Sequence, residues 1–142
     1  MSPTPVASWA RPRLVAGVAS VAGIAVSAYL TAVHYAGAVP ACPANPTINC
    51  EAVLTSAYGV IAGTSVPTSV AGMVWFLISA VLWTRAMRWA QLAWSAIGLA
   101  TVLYLVFVEI VKLGAICLWC TAAHALVVII FIVALTWRPE RT

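Results

Sequence analysis

The chain has 142 residues, 64% of them hydrophobic and 7% charged, with 7 Lys/Arg against 3 Asp/Glu and a formal net charge of +4. A soluble domain carries about 25% charged and about 45–50% apolar residues, and a compact unit of this length has too little interior to hide so much apolar surface. A water-soluble globular domain is therefore excluded, and so is disorder, which needs low hydrophobicity and high net charge. With so few charged residues, the basic excess is not a nucleic-acid footprint, and what remains is a small membrane-embedded unit.

Positions 14–50, 52–84, 89–108 and 113–137 carry no Asp, Glu, Lys or Arg. Each run suits one helical crossing of a ~30 Å hydrocarbon core, which takes about 20 residues. The runs are apolar all round, unlike the alternating strands of a barrel, so they read as helices. The expected fold is an all-α membrane protein: one domain over 1–142, with a four-transmembrane-helix bundle at about 14–34, 67–84, 90–110 and 118–137. The first run exceeds the roughly 7–15-residue core of a signal peptide, which favours a retained helix over a cleaved leader at Ala36 and Ala38. Ala19, Gly23 and Ser27 form a small-residue stripe suited to close helix packing. Pro40, Pro43 and Pro46 then break up the connecting loop. The segment 50–58, with Val53, Leu54 and Tyr58 in phase, predicts a short amphipathic helix, and Pro67 and Thr68 suit the start of the next span.

With four crossings, Arg11, Arg13, Arg85, Arg88, Arg138 and Arg141 fall on one side and only Lys112 on the other. The positive-inside rule makes the Arg side cytoplasmic. Both termini are then cytoplasmic, the 35–66 loop and the 111–117 turn face outward, and the setting is the inner (plasma) membrane.

All 4 cysteines, Cys42, Cys50, Cys117 and Cys120, then lie at the outer face, where disulfides persist. Cys117-Leu118-Trp119-Cys120 is a Cys-x-x-Cys opening the last span. There, positions i and i+3 share a face and the helix N-terminus favours a thiolate. Cys42 and Cys50 lie in a Pro-containing loop, where they can meet both an outside partner and a second pair. Thiol–disulfide exchange between two pairs makes a two-electron relay. With no nucleotide, flavin or haem motif present, a lipid-soluble quinone is the natural terminal acceptor. Two inert disulfides stapling the loops, or a zinc site of the four cysteines or of cysteines with His34, are the structural alternatives; the spacing suits zinc poorly, and no metal is expected.

These residues resemble the vitamin K epoxide reductase family in its bacterial form. The resemblance rests on the Cys42-x7-Cys50 spacing, on the block Cys50-Glu51-Ala52-Val53-Leu54-Thr55-Ser56-Ala57-Tyr58-Gly59, on Pro67 followed by Gly72, and on Cys117-x-x-Cys120. It implies a bundle around a quinone (menaquinone or ubiquinone), closed on its outer side by the loop and short helix. Cys42 would exchange with a thioredoxin-like or DsbA-like protein, Cys50 would attack Cys117, and Cys120 would reduce the quinone. Ser56, Thr68, His124, Leu54, Tyr58 and Trp75 would contact the quinone. Thr68 stands where animal members have Asn and His124 where they have Tyr; both can still hydrogen-bond. Many bacterial members carry a fused thioredoxin domain, whereas this sequence ends at Thr142, so a separate partner is expected.

Other polar residues read less specifically. His124, at i+4 from Cys120, suits either a quinone contact or a bond to a neighbouring helix. His34 suits an interfacial position, Glu109 and Lys112 an interfacial i,i+3 pair, and Trp75, Trp83, Trp89, Trp119 and Trp137 an aromatic belt. The rival functions are a small four-helix transporter using Glu109 and a structural membrane protein with inert disulfides.

Overall fold

A computed structural model describes residues 5–138, with side chains from Trp9 onward. The helices are α1 (Pro5–Tyr35), α2 (Cys50–Leu54), α3 (Thr68–Leu82), α4 (Arg88–Phe107) and α5 (Leu118–Thr136). A π-helical turn, Val108–Leu113, continues α4. Among the described residues, extended pairing is confined to two isolated bridges. Trp9–Tyr35, Arg88–Leu113 and Leu118–Thr136 are long and apolar enough to cross a membrane. The segment expected to cross at 67–84 is shorter: α3 has 15 residues, a rise of about 22 Å at 1.5 Å per residue. Pro67, in extended conformation, is its N-cap rather than its first helical residue.

α1 packs along α3 and α5, while α4 packs along α5 and only loosely against α3, leaving α1 and α4 at opposite corners. The close α1–α3 approach follows from composition. Ala16, Ala19, Ser20, Gly23 and Ser27 form the buried face of α1. A Cβ on Gly23 would collide with the Phe76 ring of α3. Ser20 Oγ donates to Ala16 O at 2.7 Å, so its buried hydroxyl is satisfied within its own helix. The Thr31 and Ser69 hydroxyls share a 2.8 Å hydrogen bond between α1 and α3. The main core comprises Ala16, Ala19, Phe76, Trp83, Val102, Val127, Ile130 and Ala134. Leu14, Val18, Val21, Ile97, Leu103, Phe107, Ile132 and Leu135 point outward, the apolar surface that a lipid solvent accepts.

The two ends of the bundle are built differently. At one, Trp9 lies 5.9 Å from Trp83 and 4.3 Å from Trp137, ring to ring, which ties together α1, α3 and the end of α5. Trp83 and Trp137 are buried, so they belong to a packed cluster, while Trp89 alone of the three is exposed. Gln91 Nε2 donates to Leu82 O at 3.1 Å and Arg85 O at 2.7 Å, closing the α3–α4 turn. Arg11, Arg13, Arg85, Arg88 and Arg138 belong to this end; Arg141 lies outside the described residues. The cysteines lie at the other end.

The expected helix over 50–58 is reduced to Cys50–Leu54. Its end has a local cause. Thr55 Oγ1 donates to Glu51 O at 2.8 Å and Ser56 Oγ to Val53 O at 2.7 Å, side-chain bonds that compete with helical continuation. The chain then turns under Gly59, where a Cβ would collide with the Leu54 carbonyl.

Gly23→Ala is expected to lower stability by about 1–3 kcal/mol through overpacking against Phe76, whereas Gly17→Ala, with open space around it, leaves stability unchanged or slightly raised. Unfolding midpoints of the purified variants in detergent check the contrast.

Candidate functional site

The loop reaches the cysteine end of the bundle by backbone pairing. Asn49 N donates to Ile116 O at 3.0 Å, and Ile116 N to Thr47 O at 2.9 Å. Asn45 Oδ1 prepares this segment by accepting from Thr47 N at 2.9 Å and Ile48 N at 2.7 Å. Asn49 then caps α2, its side chain accepting from Ala52 N at 3.0 Å. The parallel bridge pairs Ile48 with Ile116, and Cys50, two residues on, and Cys117, one residue on, enter the same buried cluster. They are buried together with Val53 and Ala115; Cys42, Leu54, Leu113, Trp119 and Cys120 pack against this cluster.

Cys42 is joined to Cys50 by a disulfide, and Cys117 and Cys120 are thiols. Cys42 is held from outside the cluster. Ala41 N donates to the Tyr29 hydroxyl at 3.0 Å, and Trp119 Nε1 donates to Ala41 O at 2.8 Å. The Tyr29 and Trp119 rings are 4.7 Å apart. Trp119, within the Cys-x-x-Cys, is thus an anchor for the Cys42 strand, a role that the belt pattern gave no sign of.

Cys117 is the N-cap of α5, its Sγ accepting from Cys120 N at 3.3 Å. The Cys120 thiol hydrogen-bonds to it and holds it below the usual thiol range, against the opposing effects of burial and of the Glu109 charge. Glu109 does not form the expected surface pair with Lys112. It is 6% exposed, and its Oε2 accepts from Cys117 N at 3.2 Å. The π-helical turn is the cause: it brings the consecutive residues Val108 and Glu109 both inward while Lys112 stays at the surface.

Below the cysteines lies a cavity of about 270 Å³. Leu54, Tyr58, Thr68, Trp75, Cys120 and His124 line it, together with His34, Glu109 and an apolar wall that includes Phe76, Val102, Leu105 and Val127. Five of the six residues expected around a quinone are therefore brought together. Ser56 is not among the lining residues; its hydroxyl donates to Val53 O and accepts from Tyr58 N, shaping the turn after α2. Thr68 Oγ1 donates to Tyr58 O at 3.0 Å, which ties α3 to the loop and leaves its oxygen free to accept. His34, expected at the interface, lies on the cavity wall. Trp75 Nε1 is buried with no partner and abuts Gly98, where a Cβ would collide with the indole. An apolar chamber with a few convergent polar groups suits the ring of an apolar ligand bearing carbonyl acceptors.

The family model described as "Vitamin K epoxide reductase family" matches residues 14–135. The chain belongs to the vitamin K epoxide reductase family. No curated protein matches it. The family acts on thiols and quinones, which agrees with a thiol pair set against an apolar chamber. Among the described residues, no group of at least 3 His, Cys, Asp or Glu gathers in a way that could hold a metal.

Replacing Cys120 by Ala removes the hydrogen bond that favours the Cys117 thiolate. In a chain whose loop cysteines are both Ala, the thiolate ultraviolet absorbance of Cys117 is expected to appear at higher pH in the Cys120→Ala variant than in its parent.

Proposed function

We propose that the protein is a membrane dithiol:quinone oxidoreductase that supports disulfide formation outside the cytoplasm. It passes two electrons from a thioredoxin-like or DsbA-like protein, through Cys42/Cys50 and then Cys117/Cys120, to a lipid quinone such as menaquinone or ubiquinone. The observation that carries the reading is the position of Cys120. It is both the partner of Cys117 and part of the cavity wall, so one side chain joins thiol exchange to an apolar ligand site.

The exchange balances as follows. The partner's dithiol attacks Cys42 of the Cys42–Cys50 disulfide and leaves oxidised, with Cys42 and Cys50 reduced. Cys50 thiolate attacks Cys117 of a Cys117–Cys120 disulfide, forming a Cys50–Cys117 bond and releasing Cys120. Cys42 then attacks Cys50, restoring the Cys42–Cys50 disulfide and releasing Cys117. A leaving thiol of low pKa leaves faster, which suits the stabilised Cys117 thiolate. The bond set in the structure, with Cys42–Cys50 closed and Cys117 and Cys120 as thiols, is the one this sequence reaches once the electrons have moved inward. Cys117 and Cys120 then close, and the quinone substrate takes up their two electrons and two protons. Tyr58, Thr68, Trp75 and His124 orient its ring, Leu54 covers it, and the apolar wall excludes water.

In this reading α3 crosses the membrane with the three longer helices, its short length matched by flanking residues and the loop above it. The chain forms a single domain in the inner (plasma) membrane. The Arg-bearing, Trp-clustered end and both termini are cytoplasmic, and the cysteine end is extracytoplasmic; this follows the positive-inside rule.

The Cys mutants separate the steps. With the purified protein, a reduced thioredoxin-like donor and a soluble quinone analogue, Cys120→Ala is expected to abolish quinone reduction. Cys42→Ala is expected to stop turnover with the protein donor while a small dithiol still reduces the inner pair and supports turnover. Full activity of either variant with the protein donor would exclude the relay.

A further inference from the structure

We propose that Glu109 is the proton carrier of the Cys117–Cys120 pair, an inference that rests on the thiol-to-quinone reading above. When the dithiol closes to a disulfide it loses two electrons and two protons, and the quinone substrate gains two of each. The Cys120 thiol is on the cavity wall and can deliver its proton directly. Cys117 is 0% exposed and does not line the cavity, so its proton needs an acceptor. Glu109 bridges the gap. Its carboxylate contacts the Cys117 residue at the amide N, 3.2 Å away, and the same residue forms part of the cavity wall. Glu109 takes the proton that Cys117 gives up on becoming a thiolate and passes it to an oxygen of the reduced substrate.

The other titratable groups nearby leave this task to Glu109. From α1, His34 faces the cavity, and from the loop, Tyr58. α3 contributes only hydroxyls, Thr68 and Ser69. On α5, His124 lies one turn below Cys120, on the substrate side of the pair. On its own turn, Lys112 is exposed, as is Glu51 on α2. Glu109 alone among them bonds to Cys117. A purely structural cap would need only an acceptor for the amide, which Gln supplies as well as Glu.

Two measurements test the inference. With the full chain in detergent, a small dithiol donor and a short-chain quinone, Glu109→Gln is expected to lower kcat by about 100-fold, the usual size of a general acid–base contribution, with KM unchanged. Glu109→Asp, which keeps a carboxylate, recovers part of the rate. Wild-type kcat in Glu109→Gln, or equal losses in the Gln and Asp variants, would overturn the role. The second measurement needs no quinone: infrared difference spectra of the wild-type chain as diamide oxidises the inner pair. A protonated-carboxyl band present with the dithiol and lost with the disulfide is expected, and its absence overturns the inference even where Glu109→Gln fails to fold. A wild-type chain that reduces no quinone but shows this band would refute the functional reading and leave the proton site standing.

Discussion

The site depends on two backbone hydrogen bonds between the loop and the turn before α5, at Asn49–Ile116 and Ile116–Thr47. Each contributes only about 0.5–1.5 kcal/mol net, yet together they fix the register of two chain segments far apart in sequence, and the cysteines follow in that register. The apolar cluster of Cys50, Val53, Ala115 and Cys117 packs directly beside the pairing. Cys42 packs at the edge of this cluster and is tied to it by the Cys42–Cys50 disulfide. The neighbouring Ala41 backbone is held in turn by Tyr29 and Trp119. Cys42 is less deeply buried than Cys50 and Cys117, which suits a relay in which the outermost cysteine meets a separate protein.

The cavity follows from uneven helix packing. Small residues on α1 let α3 approach closely, with Gly23 receiving Phe76 and Gly72 facing Ser27. α3 packs closely on α1 but only loosely on α4, and aromatic side chains fill much of the α3–α4 seam. Trp75 and Trp94 stack at 6.1 Å, and Trp94 Nε1 donates to Ser79 Oγ at 3.1 Å. Gly98 gives the Trp75 indole its seat. The same small-residue stripe that tightens one seam of the bundle thus opens the chamber at the other.

Much of the architecture was legible because it is written in composition and period. Apolar runs between charges located the long helices, and the spacing of Cys117 and Cys120 identified the helix-opening pair. What stayed hidden depends on contacts distant in sequence. Nothing local marks Ile48 and Ile116 as partners, since a single bridge has no periodicity. Glu109 read as a partner for Lys112 because i,i+3 spacing assumes an unbroken α-helix, and a π-helical turn changes which residues share a face. Nor does the family block reveal that the Ser56 hydroxyl bonds into the turn after α2. The expected 50–58 helix ignored the ability of Thr55 and Ser56 to bond back to their own backbone. α3 ends within two residues of the expected span at each end, with Pro67 as its N-cap and Trp83 as its C-cap.

Cys117 sits at the point where these features meet, and its acidity is a balance between them. The Cys120 thiol and the amides of the first α5 turn stabilise its thiolate, while burial and the Glu109 carboxylate oppose it. Neither side can be removed without a cost to the relay proposed here. Without the hydrogen bond from Cys120, Cys117 would be a poor leaving group when Cys42 attacks Cys50. Without a nearby carboxylate, its proton would have no acceptor in a chamber walled mainly by hydrocarbon. A negative group beside a thiolate is unfavourable as static electrostatics, but it becomes useful when one proton is shared between the two. Protonating Glu109 as Cys117 ionises keeps the net charge of the site constant, which is the arrangement that a low-dielectric interior tolerates best.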